Sequence, residues 1–343
     1  MRNEMKWIER IRFIKHCADK SNDARFVKYV NEIMGDWTLV NLVCYGEQIS
    51  KKMIYHIAPD ALQTGFFATH NRLLAFLYYA DYYGLIPVVE YGKEYCYAEQ
   101  CSINGTDNPF EYYFQQPTDI TLKDLRQYRN VMKSRKENAA LAGKLNKIPT
   151  SYGMSELFIE ELAKITKKYI KLNEVTNEYL NKHINSVIGN EKTLGIHIRG
   201  TDFKKNYRGH PIAVPISDYL SEAKRLIEKN GYNQIFLATD DVEAINFFKQ
   251  EFGGKLCYYH DVIRSDGEET VMKSTVTREN HHYLLGLEVL RDMCTLATCD
   301  GLLAGVSQVS YASLIQKKST GTDFENIVIL NKGINKKGRT CPV

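Results

Sequence analysis

The segment TLGIHIRGTD, residues 193–202, decides the fold class, because a short apolar run ends there in a cluster of polar residues. An apolar run of this length is typical of a strand that is buried on both faces. Similar runs follow at residues 234–238, 255–259, 301–304 and 327–330. Most of these apolar runs are separated by segments whose apolar residues recur at helical spacing. The sequence therefore predicts a parallel sheet that is covered by helices on both faces.

Four helices are predicted in this half of the chain. Residues 217–230, 283–297 and 307–317 each place their apolar residues on one helical face. Asp240 and Glu243 have the spacing of a capping box, which predicts another helix with Asp240 as its N-cap.

The first half of the chain is also predicted to be α/β, although its pattern is less regular. Helices are predicted over residues 9–31 and 71–84, strands over residues 38–45, 52–57 and 86–91, and mainly helical structure over residues 119–180. The charged stretch 181–192 marks a domain boundary. We expect an N-terminal α/β domain at residues 1–185, a nucleotide-binding, Rossmann-like domain at residues 190–331 and a basic tail at residues 332–343.

Composition excludes several classes of protein. The chain has 343 residues, 44% of them hydrophobic, with 23 Tyr and 14 Phe, so it is neither largely disordered nor of low complexity. Its net charge of +4 argues against nucleic acid as the main partner, because such proteins present a concentrated basic face. The basic cluster in residues 332–339 is expected to be a solvated tail or, alternatively, a peripheral contact with an anionic membrane surface.

Cysteine usage and hydropathy point to a reducing compartment. The eight Cys form no CxxC pair and several lie in apolar segments, which predicts buried thiols and neither a disulfide framework nor a zinc site.

No apolar leader opens the sequence, and the most apolar stretch, residues 73–89, is interrupted by Asp81 and Pro87. The polar stretch 261–280 lacks periodicity and predicts a mobile loop. We expect a cytoplasmic protein.

The first group of candidate functional residues follows the strand that ends at residue 198. His197 and Arg199 are two residues apart, so they share one face of the predicted strand. An Arg at this place can bind two phosphate oxygens, and Gly200 leaves space for the close approach of a ligand. The alternative is a structural pair of Arg199 with Asp202 beside a core histidine. The density of polar groups at the end of one apolar strand favours a binding site.

The second group, Thr239, Asp240 and Asp241, follows the next predicted strand. Asp240 can be explained as a helix cap alone. Two neighbouring acids also suggest a metal ion, but no further His or acid stands at ligand spacing, so we expect no metal site.

The third group, Ser307 and Gln308, follows the strand predicted at residues 301–304 and opens a helix. Free backbone N–H groups and the helix dipole attract phosphate at such a place, although Ser307 is equally a plain N-cap. Asp292, within the preceding helix, is by itself expected to be an acid on a solvated helix face.

Several enzyme classes are excluded by the absence of their motifs. No GxGxxG follows the first strand and no GxxxxGK[ST] occurs, which argues against a standard dinucleotide enzyme and a P-loop NTPase. No GxSxG is present, so the nucleophile elbow of the α/β-hydrolases is missing.

Three short motifs together resemble the GDP-fucose-dependent fucosyltransferase superfamily, which includes α1,6-fucosyltransferases, nodulation fucosyltransferases and protein O-fucosyltransferases. GIHIRGTD at residues 195–202 is similar to the HxRxxD segment of that superfamily, LATDD at residues 237–241 to its ATDD, and VSQV at residues 306–309 to its SSQV. Their order and approximate separations agree over residues 193–317. In the first half, residues 65–84 resemble only a glycine-containing loop and helix.

The resemblance implies a GT-B fold, in which two Rossmann-like domains face a cleft and the N-terminal domain binds the acceptor. It implies an inverting, metal-independent transfer of fucose from GDP-fucose, the donor substrate, to an acceptor, with no cofactor. Arg199 is implied as the catalytic residue that binds the diphosphate and helps GDP to leave. The implied donor-binding residues are His197, Asp202, Thr239, Asp240, Asp241, Asp292, Ser307 and Gln308.

The sequence departs from this family in three ways. The α1,6 enzymes have a second Arg where this chain has Gly200, which leaves Lys204 or Lys205 to supply further phosphate contacts. Residues 203–209 contain no acid, so no general base is assigned. The membrane anchor and stem of Golgi enzymes have no counterpart, which leads us to expect bacterial glycan biosynthesis with a glycan or glycolipid acceptor. A transferase for another nucleotide sugar and a non-catalytic GT-B-like binding protein remain as alternatives.

Overall fold

The computed structural model describes residues 41–59, 64–139, 154–200, 204–265 and 278–338. Two compact units are present. The first comprises Met1–Gln63, Thr69–Ile148 and Lys164–Asn173, and the second comprises Thr64–Ala68, Pro149–Ala163 and Glu174–Val343. The helix predicted at residues 9–31 and most of the loop predicted at residues 261–280 lie outside the described residues.

The helices and strands alternate along much of the chain. In order they are β1 (Leu42–Val43), β2 (Ile54–Ile57), α1 (Phe66–Tyr83), β3 (Ile86–Val89), α2 (Leu122–Leu125), β4 (Val131–Lys133), α3 (Glu156–Tyr169), α4 (Glu174–Val187), β5 (Thr193–Ile198), α5 (Ile216–Asn230), β6 (Gln234–Thr239), α6 (Val242–Phe252), β7 (Leu256–Cys257), α7 (His281–Thr298), β8 (Gly301–Gly305), α8 (Gln308–Ser319) and β9 (Asn326–Leu330). No described helix combines the length and apolar character needed to cross a membrane.

The sheet of the first unit has four strands in the order β1-β4-β2-β3. Strand β2 is entirely buried and pairs in parallel with β3 and β4, whereas β1 is antiparallel to β4. Strand β4 lies inside residues 119–180, so the mainly helical prediction was wrong at this point. The strand is three residues long, which is too short to show a period of its own.

The sheet of the second unit has five strands in the order β7-β6-β5-β8-β9, and every pairing is parallel. This confirms the predicted α/β class with a parallel sheet. Strand β5 is central and all six of its residues are buried, because its apolar run leaves no face for solvent.

Helices pack on both faces of this sheet, as the alternation of side chains along β5 shows. Leu194 and Ile196 join a core with residues of α5 and α6. Gly195 points to the opposite face, where an added Cβ would lie 3.1 Å from Cys299 and 3.2 Å from Leu296 of α7. The glycine therefore allows α7 to lie close against the sheet.

Helix boundaries in this unit follow ordinary capping chemistry. Helix α5 ends before Gly231, whose φ of 69° is a left-handed conformation that favours glycine. Helix α6 is capped by Asp241, whose side chain accepts a hydrogen bond from the N–H of Glu243. The prediction of Asp240 as this N-cap was wrong by one residue, because the Asp240 carboxylate binds other groups.

Candidate functional site

The carboxyl edge of the parallel sheet gathers the residues that the sequence indicated. Strands β5, β6 and β8 are adjacent and parallel, so the residues that follow them meet at one edge. In open α/β sheets ligands bind at this edge. The structure brings Arg199 together with Asp240, and His197 together with Ser307. Asp202 lies outside the described residues.

Arg199 is held by Asp240 across the ends of β5 and β6. Its Nη1 donates to Oδ2 of Asp240 at 2.6 Å, and the other carboxylate oxygen accepts from the N–H of Gly200 at 2.9 Å. The Arg199 side chain retains 34% exposure, compared with 14% for that of Asp240. Asp240 thus orients a partly accessible guanidinium. The alternative interpretation of the sequence, a structural pair, had assigned Asp202 as the partner of Arg199.

Gly200 allows the end of β5 to lie close to the start of α6. The sequence analysis had interpreted this glycine as space for a ligand, and that interpretation was wrong. A Cβ on Gly200 would come within 2.6 Å of the Asp241 Cβ. That distance is far below a normal contact, so a larger residue would displace Asp241. The space above Gly200 is occupied by protein and is not left open for a ligand.

Asp241 is buried and makes two interactions. One carboxylate oxygen caps α6, and the other lies 2.7 Å from Nζ of Lys204. Lys204 also lies 3.2 Å from a Glu243 carboxylate oxygen, so both acids hold its ammonium group. Lys205 is half-buried beside it. Any phosphate contact by Lys204 would compete with these two carboxylates.

His197 lies inside the protein against the start of α8. Its Nδ1 is 3.2 Å from Oγ of Ser307 and 3.1 Å from Oγ of Ser310, and Ser310 donates to the carbonyl oxygen of Gly305. Burial lowers the pKa of His197 to about 4, so its ring is neutral at physiological pH. These contacts fix the turn from β8 into α8.

Ser307 and Thr239 stabilise the two turns that carry the site. Oγ of Ser307 accepts from the N–H of Ser310 and caps α8, as one reading of the sequence expected. Oγ1 of Thr239 accepts from the N–H of Asp241. Both side chains are buried, whereas Gln308, at the first position of α8, is half-buried.

Asp292 is buried within α7, so the interpretation of a solvated helix face was wrong. Burial raises its pKa to about 7, while the charges of Arg291 and Arg264 oppose this shift. The acid therefore titrates near neutral pH. A carboxyl group of this kind can donate as well as accept hydrogen bonds.

A cluster around Arg291 was missed by the sequence reasoning. The Arg291 side chain is fully buried, forms two hydrogen bonds with Asp261 at 2.6 and 2.9 Å, and donates to the Tyr179 hydroxyl at 2.8 Å. Its guanidinium lies 3.8 Å from the centroid of the Tyr259 ring. The sequence feature that could have identified this cluster is an arginine in the apolar middle of a predicted helix.

Arg264 is a second residue that the sequence reasoning missed. It donates to the carbonyl oxygens of Thr239 at 3.1 Å, Tyr259 at 2.7 Å and Val262 at 3.2 Å. The next residue, Ser265, pairs through its backbone with Asp240 and with Val242. The chain therefore returns from β7 to the carboxyl edge, with a half-buried guanidinium beside it.

The acids of this edge are poorly suited to a metal ion. Asp240 pairs with Arg199 and Asp241 pairs with Lys204. Across the described ranges no group of three or more His, Cys, Asp or Glu side chains has an arrangement that could hold a metal.

Comparison with protein-family models and with curated proteins gives no match. Among solved structures, the chain is similar to NodZ α1,6-fucosyltransferase soaked with GDP-fucose, at 18% identity and a TM-score of 0.49, over 77% of this chain and 93% of that one. Fucosyltransferase NodZ from Bradyrhizobium gives 16% identity and a TM-score of 0.46, over 76% and 92%. POFUT1 in complex with GDP gives 10% identity and a TM-score of 0.47, over 82% and 99%.

Proposed function

We propose that this protein transfers fucose from GDP-fucose to a glycan or glycolipid acceptor, with inversion at the anomeric carbon and without a metal ion. The observation that carries the proposal is the Arg199 guanidinium, fixed by Asp240 and still one-third exposed at the carboxyl edge of a parallel sheet. It stands there with the three sequence motifs that resemble the fucosyltransferases.

The chemistry of sugar transfer explains why Arg199 is the proposed catalytic residue. When the bond between fucose and the diphosphate breaks, negative charge grows on GDP. A guanidinium has five N–H donors in a rigid fork, so it can bind two phosphate oxygens while it still contacts Asp240. Preorganised donors of this kind stabilise a transition state strongly, because they need no reorientation during the reaction.

The remaining residues of the edge would support donor binding. The N-terminus of α8, with Gln308 at its first position, offers backbone N–H groups to phosphate. His197, Ser307 and Thr239 would hold these turns in place, and Asp292 and Asp202 would contact the nucleotide. Lys204 and Lys205 would provide further positive charge.

Metal independence gives a direct prediction. Arg199 and the backbone N–H groups of α8 neutralise the leaving group in this proposal, so fucose transfer in excess EDTA should proceed at the rate seen without chelator. Complete loss of transfer, restored by Mn²⁺ or Mg²⁺, would contradict it.

We further propose that the acceptor is handled by the N-terminal domain, at residues 1–185, and the donor by residues 190–331. A cytoplasmic enzyme of bacterial glycan biosynthesis would meet lipid-linked acceptors at a membrane surface. The tail that begins at residue 332 supports this role, because Lys336 and Lys337 are exposed and residues 332–338 contain no acid.

The test combines donor binding with turnover. Purified protein is titrated with GDP and UDP by calorimetry, and release of free fucose from GDP-fucose is followed with and without a panel of oligosaccharide acceptors. Tight GDP binding with slow hydrolysis, accelerated by an acceptor, supports the proposal. Preference for UDP-sugars would indicate another donor, and binding without turnover would indicate a non-catalytic protein.

A further inference from the structure

Strand β9 (Asn326–Leu330) forms one edge of the five-stranded sheet in the second unit. It pairs with β8 in parallel over five consecutive residues, so the ladder between the two strands contains no bulge. Among the described residues no strand pairs with its other edge. Alternate residues of an edge strand direct their N–H and C=O groups away from the sheet, and these groups can pair with a further strand.

The other described edge strands carry features that discourage such pairing. Strands β1 and β7 are two residues long, and β3 contains Pro87, which has no N–H to donate. Strand β9 has five residues, and its sequence, NIVIL, contains neither a charged residue nor a proline. Short length, lysine, proline and bulges are the usual protections of an exposed edge. Strand β9 has none of them.

Both faces of β9 are apolar. Val328 and Leu330 pack against the core that β5 forms with α5 and α6. Side chains alternate along a strand, so Ile327 and Ile329 lie on the opposite face. Ile327 is 47% exposed and Ile329 is half-buried. A second apolar strand beside β9 would extend the apolar surface on both faces of the sheet and would cover Ile327.

Charges at the two ends of β9 determine the direction in which a second copy would pair. Oε2 of Glu325, just before the strand, lies 2.6 Å from Nζ of Lys192, and Nζ of Lys332, just after it, lies 2.8 Å from Oδ2 of Asp218. Glu325 and Lys332 remain 51% and 50% exposed. A parallel pair of strands would bring like charges together at each end. An antiparallel pair brings the acidic end of one copy beside the basic end of the other, which is the favourable arrangement.

We propose that the free edge of β9 is a homodimer interface, at which two copies of this chain pair their β9 strands antiparallel about a two-fold axis. The two five-stranded sheets then form one continuous sheet. Each copy contributes the same surface, so the assembly is complete at two copies. This interface goes beyond the proposed function and does not depend on it.

The register of the pair follows from the overlap of the two strands. With Val328 opposite its own copy, all five residues of each β9 are paired, and Ile327 lies opposite the partner's Ile329. A shift by two residues leaves two residues of each strand outside the pairing, and a shift by one residue places side chains on the wrong face. Cross-strand pairs of branched apolar side chains stabilise the register in which they meet.

The test measures the mass of the full chain in solution by sedimentation equilibrium over a wide range of protein concentration. We expect the wild type to show a reversible equilibrium between monomer and dimer, because pairing through one strand gives a small interface. Ile327→Lys should stay monomeric at concentrations where the wild type is dimeric, since the pairing would remove the new charge from water. Its Tm should equal that of the wild type, because Ile327 is exposed in the monomer.

The matched control is Phe247→Lys. Phe247 is 45% exposed, close to the value for Ile327, and lies on α6, which packs against β6 and β7 at the other end of the sheet. This variant should dimerise like the wild type.

A mixture of two variants tests the antiparallel register. Ile329→Glu alone should also weaken the dimer. Ile327→Lys mixed with Ile329→Glu should form a heterodimer, because the new lysine of one copy lies opposite the new glutamate of the other. If Ile329→Glu lowers the Tm, the comparison of Ile327→Lys with Phe247→Lys decides alone.

Three results would overturn the interface. They are a wild type that is monomeric at every concentration, a dimer that persists in Ile327→Lys, and equal loss of the dimer in Phe247→Lys. A mixture of well-folded variants that stays monomeric overturns the antiparallel pairing. GDP binding by a monomeric wild type would leave the proposed function standing while the interface falls.

Discussion

At the scale of single residues, Arg199 carries the strongest prediction. Lysine in its place keeps a positive charge that can still pair with Asp240, but it loses the fork that binds two oxygens. We expect Arg199→Lys to fold with an unchanged Tm, to bind GDP weakly and to lose at least about 10²-fold in kcat/KM.

Both quantities are measured on one preparation, with the exposed Arg208→Lys as the control. A variant of Arg199 that melts early but keeps its activity per folded molecule would show that the Arg199–Asp240 pair serves stability only.

Asp292 predicts a dependence of stability on pH. Its carboxyl has a pKa of about 7 when folded and about 4 when unfolded, so the folded state binds the proton more tightly. The free energy of unfolding that this group contributes is complete below about pH 4 and is lost as the pH rises towards 7. Urea titrations from pH 4.5 to 8 should show a steeper loss for the wild type than for Asp292→Asn. Parallel curves would contradict the buried titration.

The same residue shows where sequence reasoning stops. The family resemblance implies that Asp292 binds the donor, but its burial in α7 and the charges of Arg264 and Arg291 that act on it follow only from the packed structure. Contacts between segments distant in the sequence leave no local period. The one-residue error at the cap of α6 has a similar origin, because Asp240 and Asp241 are both good caps and the pairing with Arg199 decides between them.

At the scale of elements, the contact of Gly200 with the start of α6 predicts a local loss of stability. An alanine Cβ would lie 2.6 Å from the Asp241 Cβ, so the turn after β5 and the cap of α6 must move apart. We expect Gly200→Ala to lower the free energy of unfolding by about 1–3 kcal/mol, the usual cost of overpacking.

The matched control for this variant is Gly189→Ala, since a Cβ at Gly189 meets no atom within 4 Å. Urea unfolding of both variants gives the comparison. Equal midpoints for the two would contradict the close contact.

Elements with a clear apolar run were predictable, and short ones were not. All five strands of the second unit were found because each contains a continuous apolar segment, although only the central strands β6, β5 and β8 are almost entirely buried. Strand β4 was missed because three residues give no period, and its position depends on pairing with β1 and β2.

At the scale of the whole molecule, we predict that one face of the second unit binds anionic membranes. The N–H of Gly209 and that of Ile212 donate to the tail residues Asn335 and Gly333, so two segments without acids lie side by side. Next to them a cavity of about 490 Å³ is lined mainly by apolar side chains, including Val214, Leu220 and Phe247, and also by Lys204 and Glu243. This combination suits a charged lipid surface with an inserted apolar group.

We expect the protein to sediment with vesicles that contain the anionic lipid phosphatidylglycerol and to stay in solution with neutral vesicles. Replacing Lys336 and Lys337 by Gln should weaken binding, because each cation near such a surface contributes about 1 kcal/mol. Replacing the exposed Lys182 and Lys249 by Gln controls for charge alone. Equal binding of both double variants would contradict a docking face.

The close approach of Gly200 to Asp241 also makes the two positions depend on each other in any mutant library. A Cβ at position 200 would meet the Cβ and the carboxylate of Asp241, so a larger residue is tolerated only if the backbone shifts or residue 241 becomes smaller. A serine at position 241 could still cap α6, but Lys204 would then lose one of its two acids. A paired library at positions 200 and 241 should therefore yield folded combinations that neither single-site library contains.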